Sequence, residues 1–315
     1  VTQRDPLPDY AEDIAGRIKL GPKPVLCVVD AGNGAAGPAA RKVLDSIGAK
    51  YEALFFEPDG NFPNHHPDPT QVRNLQHLIR RVRETNADLG IAFDGDADRI
   101  GVVDRSGRPV WGDELQTVFW REILAKHPGA LALIEVKCSE ALVDVVKELG
   151  GKPEFTRTGH SLIKARMRET EALFTGEMSG HMFFRDEYYG FDDAIYAAAR
   201  LLRLLSNSDK SLDELISLVP KYHSTPEVRV DCPDECKFEV VEGLKEEFSK
   251  HYETITVDGV RVVFPGGWGL VRASNTQPAL VLRAEGRTQS DLEHIKRIIE
   301  EKLSGYPQVG PITWD

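Results

Sequence analysis

Three aspartates alternate along one short segment of the chain, in the run Asp94-Gly-Asp-Ala-Asp-Arg99. The segment directly follows Leu89–Phe93, an apolar run typical of a buried strand. Carboxylates this close repel one another unless a cation neutralises them, and hard divalent cations prefer oxygen ligands. Ligands of α/β proteins bind at strand ends, which favours a metal site over a solvated acidic turn. We therefore predict that Asp94, Asp96 and Asp98 bind Mg²⁺ or another divalent ion.

A second polar segment, Gly176-Glu-Met-Ser-Gly-His181, separates two apolar runs. Its two glycines argue against a helix, so Glu177 and His181 are not a helical metal pair. A tight loop there projects a carboxylate, a hydroxyl and an imidazole. Glu177 can accept hydrogen bonds from sugar hydroxyls, Ser179 can donate or accept, and His181 can move a proton. The segment indicates a site for a polyhydroxylated ligand, with a plain polar hairpin as the alternative.

A third segment, Arg272-Ala-Ser-Asn-Thr276, also lies between two apolar runs. An arginine can hold a phosphate through two parallel hydrogen bonds, and Ser274, Asn275 and Thr276 add neutral donors around it. The small polar residues also expose backbone N–H groups. The pattern predicts a phosphate site, with an ordinary turn as the alternative.

Two other patterns resemble binding motifs. Gly32-Asn-Gly-Ala-Ala-Gly37 has the glycine spacing of a dinucleotide-binding loop, but Asp30 would then face the pyrophosphate. We interpret these glycines as a tight strand-to-helix turn that permits close packing. His65 and His66 precede Asp68 in a proline-rich loop. Because adjacent side chains seldom converge on one ion, we expect a structural role for them.

The order of strands and helices along the chain predicts the fold that positions these segments. Strands alternate with helices over residues 1–109 and 110–219, whereas strands dominate residues 220–315. Repeated strand–helix units predict a largely parallel sheet with helices on its faces. We therefore expect an α/β protein with two three-layer α/β/α domains over the first two ranges, followed by a smaller α+β domain.

Composition excludes several classes of function. The 315 residues include 50 acidic and 39 basic ones, for a formal net charge of −11. Such a chain has no electrostatic footprint for nucleic acid or for an anionic membrane. It contains no apolar run of membrane-spanning length and no visible signal peptide. Cys232 and Cys236 lack a second Cys or His pair for zinc, so we expect reduced cysteines and a cytoplasmic location.

Taken in order along the chain, the three loops resemble those of the α-D-phosphohexomutase family, in particular its bacterial phosphomannomutase/phosphoglucomutase branch. Asp30–Gly34, Asn61–Pro67 and Thr158–Lys164 are also similar to that branch. The resemblance covers essentially the whole chain. It implies that the glycine loop serves domain packing. It also implies an isomerase that transfers phosphate between C1 and C6 of mannose or glucose phosphates, through a hexose 1,6-bisphosphate.

The resemblance also implies roles for individual residues. Asp94, Asp96 and Asp98 would be the Mg²⁺ ligands, with Arg99 beside them. Catalysis would involve His181 as general acid or base, together with Arg99. The substrate would be held by Lys137, His160, Glu177, Ser179, Arg272, Ser274, Asn275 and Thr276, the last four on the phosphate that is not reacting.

One departure from the family pattern concerns the phosphoryl donor. The family carries a phosphorylated serine in a Ser-His-Asn-Pro segment of a preceding domain, and no such segment occurs in this sequence. We therefore expect a fragment or split chain that is inactive alone and whose partner domain supplies the serine. The alternatives are a non-catalytic sugar-phosphate binding module, a dehalogenase-type phosphatase, whose DxDxT motif has threonine where Asp98 stands, and a dehydrogenase that uses the glycine loop.

Overall fold

The computed structural model describes residues 4–314. Their contacts divide the chain into two compact units. The first unit takes the residues up to Leu133 together with Val145–Pro153 and His160–Val219. The second takes Ile134–Asp144, Glu154–Gly159 and the residues from Pro220 onward. The three-domain division at 109/110 and 219/220 stays a prediction.

Ten α-helices and one 3₁₀ turn (Val72–Leu75) occur in the described residues. The helices are α1 Leu7–Arg17, α2 Ala36–Ser46, α3 Gln76–Thr85, α4 Gly112–Lys126, α5 Glu140–Glu148, α6 His160–Thr170, α7 Ala194–Ser206, α8 Leu212–Ser217, α9 Lys237–Phe248 and α10 Gln289–Leu303.

Fifteen strands complete the secondary structure of residues 4–314. They are β1 Leu26–Asp30, β2 Lys50–Leu54, β3 Leu89–Phe93, β4 Ile100–Asp104, β5 Pro109–Val110, β6 Leu131–Glu135, β7 Lys152–Thr156, β8 Phe174–Gly176, β9 Met182–Phe184, β10 His223–Ser224, β11 Val228–Asp231, β12 Glu253–Ile255, β13 Val260–Phe264, β14 Gly267–Ala273 and β15 Ala279–Gly286.

The main sheet of the first unit has the strand order β2-β1-β3-β4-β5. Strand β1 pairs in parallel with β2 and β3, whereas β4 pairs antiparallel with β3 and β5. The reversal follows from the connection, because the short segment Asp94–Arg99 cannot make the crossover that parallel strands need. The two-stranded sheet β8-β9 also belongs to this unit, whereas β6 and β7, which pair with each other, each contribute residues to both units.

The core of this sheet comes from apolar strands and amphipathic helices. Every residue of β3 is buried, and Leu78, Ile79 and Val82 of α3 pack in one cluster with Val28 of β1. Val82 lies four residues after Leu78 and three after Ile79, so the three side chains share one face of the helix, as the sequence predicts. Helix α7 is almost wholly buried and contacts β3 and β4.

Helix α1 was not predicted from the strand–helix pattern, which begins only at Pro24. Ala11 and Ile14 of this helix are buried, as is Ile18 just beyond it. Their spacing of three and four residues, with Pro6 at the helix start, is the signal that could have found it.

The second unit contains an antiparallel sheet of order β10-β15-β14-β13-β12, with β11 also paired to β15. Helices α9 and α10 pack on it through an apolar cluster that includes Val240, Leu244, Ile295 and Ile299. This is the α+β arrangement expected for the last part of the chain. Across residues 4–314, every helix is too short or too polar to cross a bilayer.

Candidate functional site

The Asp loop, Asp94–Arg99, is the turn between antiparallel strands β3 and β4. Asp94 is 1% exposed, and one of its carboxylate oxygens accepts hydrogen bonds from the backbone N–H groups of Asp98 and Arg99, each at 3.1 Å. Its other oxygen accepts from Arg99 Nε at 2.6 Å. Burial outweighs these bonds and raises the pKa of the Asp94 carboxyl to about 6. The loop is therefore held in shape by its own first aspartate.

The three aspartates have the donor set that a hard cation requires. Asp94, Asp96 and Asp98 each offer a carboxylate oxygen, and these oxygens lie within 4.8 Å of one another. Opposite ligands of one Mg²⁺ ion are separated by about 4.2 Å, twice the usual metal–oxygen distance. Small side-chain adjustments would therefore bring them onto one ion. These residues fit Mg²⁺, as the sequence predicts.

The Glu–His loop, Gly176–His181, is the turn of the β8-β9 hairpin. The backbone N–H of Glu177 donates to the carbonyl of His181 at 2.9 Å, which closes the turn. Gly180 has φ of +101°, and a Cβ there would lie 2.3 Å from the carbonyl oxygen of Ile100. Only glycine fits this position without strain. The hairpin confirms the predicted loop.

Backbone pairing joins the two loops within the first unit. The N–H of Ile100 donates to the carbonyl of Gly180 at 3.0 Å, and Arg99 forms an isolated antiparallel bridge with His181. The carboxylates of the Asp loop and the side chains of the Glu–His loop therefore lie next to each other, although about 80 residues separate them in sequence.

His181 stands between carboxylates of both loops. Its Nδ1 lies 2.8 Å from Glu177 Oε2 and 2.9 Å from Ser179 Oγ, and its Nε2 lies 3.3 Å from Asp98 Oδ2. Burial by itself would lower the pKa of the His181 imidazole, but Asp98 and Glu177 outweigh it and raise that pKa to about 9. His181 in turn holds the pKa of Asp98 down to about 2. The two carboxylates therefore favour the protonated imidazole, which is the form that can donate a proton.

Asp192 and Lys164, to which the sequence analysis assigned no role, lie at the edge of this site beside His160. The His160 ring stacks on the His181 ring with centroids 5.7 Å apart, and His160 Nδ1 lies 3.3 Å from Asp192 Oδ2. Lys164 Nζ donates to the other oxygen of Asp192 at 2.8 Å. Asp192 immediately precedes Asp193, the N-cap of α7, and this acidic pair at a helix start was the available signal.

The glycine loop and the histidine pair have the structural roles expected of them. A Cβ on Gly37 would lie 1.8 Å from the carbonyl oxygen of Phe56, so this glycine allows a close approach of backbones. Asp30 accepts from the N–H of Gly32 at 2.8 Å and lies 3.0 Å from His65 Nε2. A carboxylate inside the turn opposes a pyrophosphate, which disfavours the dinucleotide hypothesis.

In the second unit, the Arg loop (Arg272–Thr276) begins in β14 and leads toward β15. Arg272 is 5% exposed, and its Nε donates to Asp258 Oδ2 at 3.0 Å. Its buried Nη2 has no hydrogen-bond partner in the described part of the chain. Ser274 is buried and accepts backbone N–H groups from within the loop, whereas Asn275 and Thr276 are exposed. The loop offers one unused guanidinium donor and two free polar side chains.

Lys137 lies elsewhere in the second unit, two residues beyond β6. Its Nζ lies 3.2 Å from Glu135 Oε1 and 2.9 Å from Glu227 Oε2. Burial would lower the pKa of Lys137, but these two carboxylates raise it above its usual range. Burial by itself would raise the pKa of Glu227. Lys137 and nearby arginines together outweigh burial and lower that pKa, and Arg272 is one of these arginines. Lys137 is therefore a charged, buried group, and its contact with substrate stays a prediction.

The structure thus divides the predicted residues between the two units. Those in the first unit converge on His181, and those in the second surround Arg272 or pair with Glu227. The first group is Asp94, Asp96, Asp98, Arg99, His160, Glu177, Ser179 and His181; the second is Lys137, Arg272, Ser274, Asn275 and Thr276.

Comparison with protein families gives three adjacent matches. The models described as phosphoglucomutase/phosphomannomutase alpha/beta/alpha domain II, alpha/beta/alpha domain III and C-terminal domain match residues 8–107, 111–222 and 227–302. The phosphomannomutase/phosphoglucomutase of Pseudomonas aeruginosa is 45% identical over 315 residues, which are 100% of this chain and 68% of that protein. The phosphoglucomutase of Neisseria gonorrhoeae is 44% identical over 312 residues, 98% of this chain and 67% of that protein.

A solved structure agrees with these matches. The crystal structure of a phosphoglucomutase/phosphomannomutase family protein from Burkholderia thailandensis is similar with a TM-score of 0.91 and 41% identity, covering 99% of this chain and 67% of that one. The chain therefore spans about two thirds of the length of these relatives. With the whole chain covered at this identity, it belongs to the phosphoglucomutase/phosphomannomutase family.

Proposed function

We propose that this chain carries the metal, sugar and phosphate sites of a phosphohexomutase, which moves phosphate reversibly between C1 and C6 of a hexose through a hexose 1,6-bisphosphate. The observation that carries the proposal is the hydrogen bond from Ile100 N–H to the carbonyl of Gly180. It unites a carboxylate set suited to a divalent cation with a carboxylate, hydroxyl and imidazole suited to a sugar.

In the Asp loop, Asp94, Asp96 and Asp98 would hold Mg²⁺. When bound, this ion neutralises charge on the phosphoryl group in transfer. Arg99 keeps Asp94 in place, since its guanidinium bonds that carboxylate and also lies 3.3 Å from Asp68. The guanidinium remains close enough to the carboxylates to add positive charge where the phosphoryl group would sit.

In the Glu–His loop, Glu177 would accept hydrogen bonds from sugar hydroxyls, and Ser179 would donate or accept as the sugar turns over. His181 would act as the proton donor, because neighbouring carboxylates keep its imidazole charged at neutral pH. His160, stacked on His181 and held by Asp192, would contact the substrate at the edge of the site.

In the second unit, the Arg loop would hold the phosphate that is not reacting. Arg272 Nη2 supplies an unused charged donor, and Asn275 and Thr276 supply neutral ones. Lys137 would add a second cation to the substrate. Mannose and glucose phosphates are the proposed substrates, since the relatives carry the names of both activities. The free thiols favour a reducing, cytoplasmic setting.

The phosphoryl donor must come from outside the 315 residues. A covalent donor cannot be replaced by binding groups, and the sequence contains no Ser-His-Asn-Pro segment. The polypeptide of residues 1–315 should therefore bind sugar phosphates without converting them. Fused to the preceding domain that the family resemblance implies, with its phosphorylated serine, it should interconvert glucose 1-phosphate and glucose 6-phosphate.

The test combines calorimetry and a coupled assay. Binding of glucose 1-phosphate to the chain with Mg²⁺, and turnover by the fusion only, would support the proposal. Turnover by the chain alone would contradict the need for an external donor. Release of inorganic phosphate from glucose 1-phosphate would indicate a phosphatase instead. Binding without turnover in a fusion shown to be phosphorylated on its serine would identify a non-catalytic binding module.

A further inference from the structure

Two cysteines lie in contact beneath the Arg loop. The Sγ atoms of Cys232 and Cys236 are 3.9 Å apart, and both residues are free thiols. Cys232 directly follows β11 and is 1% exposed, whereas Cys236 is partly exposed at the N-cap of α9. A disulfide needs its sulfurs at about 2.05 Å, so the two sulfurs must approach by only about 2 Å. The remaining cysteines, Cys27 and Cys138, are fully buried.

The residues beside this dithiol hold the backbone of the Arg loop and of the residues that follow it. The N–H of Cys232 donates to the carbonyl of Pro278 at 3.1 Å. Lys237, adjacent to Cys236, is 4% exposed, and its ammonium donates to the carbonyls of Ser274 at 2.7 Å and Gln277 at 2.9 Å. Both ends of the Cys232–Lys237 segment therefore form hydrogen bonds to the backbone on either side of Asn275 and Thr276.

Closing the disulfide would strain these hydrogen bonds. The N–H groups of Cys236 and Lys237 both donate to the carbonyl of Pro233, so the start of α9 moves together with the turn that precedes it. Cys232 is the less mobile partner, because it is buried in the core of the sheet and bonded to Pro278. Cys236 must make most of the approach, partly by rotation of its side chain and partly by movement of the first turn of α9, and the movement of that turn lengthens the hydrogen bonds that Lys237 makes to the Arg loop.

We propose that Cys232 and Cys236 form a redox modification site whose disulfide detaches Lys237 from the Arg loop and loosens the candidate phosphate site. The oxidant is a small disulfide such as glutathione disulfide. The thiolate of the accessible Cys236 attacks it, forming a mixed disulfide and releasing one small thiol. Cys232, as thiolate, then attacks the Cys236 sulfur and releases the second. One disulfide is reduced to two thiols while the protein dithiol loses two protons and two electrons.

The test measures the disulfide and the loop separately, so it does not depend on the proposed function. The chain is incubated with glutathione disulfide or with dithiothreitol, and intact mass and peptide mapping identify the product. We expect loss of two hydrogens and a peptide linking Cys232 to Cys236. Hydrogen–deuterium exchange of the peptide covering residues 274–280 should then be at least tenfold faster than in the reduced protein, and dithiothreitol should reverse the change.

Three variants make the outcomes decisive. Cys236→Ser should show neither the mass change nor the faster exchange, whereas Cys27→Ser should behave as the unmodified chain. Lys237→Met, kept reduced, should show the faster exchange without any oxidant. Failure to form the Cys232–Cys236 disulfide would overturn the modification site. A disulfide that leaves exchange at residues 274–280 unchanged, or a Lys237→Met loop as protected as the parent, would overturn its effect on the loop.

Discussion

Replacement of Arg272 by alanine should weaken the binding of sugar phosphates strongly. Arg272 is 5% exposed, its Nε is bonded to Asp258, and its Nη2 has no hydrogen-bond partner among residues 4–314. Each charged hydrogen bond lost to a phosphate costs about 1.5–3 kcal/mol. That loss corresponds to a dissociation constant about 10-fold to 150-fold higher.

The charge and the shape of the side chain can be separated. Arg272→Lys keeps a cation that can pair with Asp258 but cannot form the planar fork, so it should recover only part of the affinity. Arg297→Ala is the matched control, because it also removes one positive charge in the second unit, from an exposed position on α10. Neither change should alter Mg²⁺ affinity, since the Asp loop belongs to the other unit.

The assay is calorimetry with glucose 1-phosphate on the chain and on its fusion to a phosphoserine domain of the family. Thermal unfolding of each variant shows whether the loss of the partner of Asp258 has disturbed the fold. A folded Arg272→Ala protein that binds glucose 1-phosphate as well as the parent would refute the phosphate role of this residue. Equal losses in Arg272→Ala and Arg297→Ala would show that only net charge matters.

Three further outcomes are expected. Asp96→Asn should lower the Mg²⁺ affinity measured by calorimetry. Asp209→Asn makes the same charge change at an exposed site and should leave that affinity unchanged. Equal Mg²⁺ affinities of the parent and Asp96→Asn would contradict the metal assignment. His65→Asn should lower the free energy of unfolding more at pH 6 than at pH 9 in denaturant titrations. The hydrogen bond to Asp30 raises the pKa of the His65 imidazole in the folded protein. The stability that this pairing gives is therefore complete below about pH 6.5, the unfolded value, and is lost as pH rises through the folded value. A cost independent of pH would contradict that pairing. Gly180→Ala should weaken both Mg²⁺ and sugar-phosphate binding, because its Cβ would collide with the Ile100 carbonyl, and unchanged binding of both would show that the junction between the loops is dispensable.

The sequence predicts well the turns that carry the candidate residues, because each turn is a short, contiguous pattern, whereas the chemical roles of these residues stay predictions. The alternating aspartates follow an apolar strand, and the glycines of the Glu–His loop enforce a turn, so the chemistry and its position are encoded together. The fold class follows from the same kind of local repetition. Helix α1 was missed although its apolar spacing is helical, since the pattern of alternating strands and helices draws attention only from Pro24 onward.

The partners of these loops depend on tertiary packing, and no local pattern encodes them. Asp192 reaches His160 and Lys164, Asp258 reaches Arg272, and Lys237 reaches the carbonyls of the Arg loop. Each contact joins residues that are 14 or more positions apart, or that lie on different secondary-structure elements. Sequence can nominate charged residues near a helix start or in a turn, but the choice of partner requires the fold.

The pairing of charged side chains bears on how a chain of net charge −11 would present the proposed cation and phosphate sites. In the first unit, Arg99 and His181 pair with the carboxylates around them, which reduces the repulsion within the acidic cluster. In the second unit, Asp258 engages only Nε of Arg272 and leaves Nη2 free. A carboxylate bonded to Nε fixes the plane of the guanidinium while the Nη groups can still donate to a ligand. The selectivity that we propose for both sites would therefore depend on local pairing, which the overall charge of the protein does not reveal.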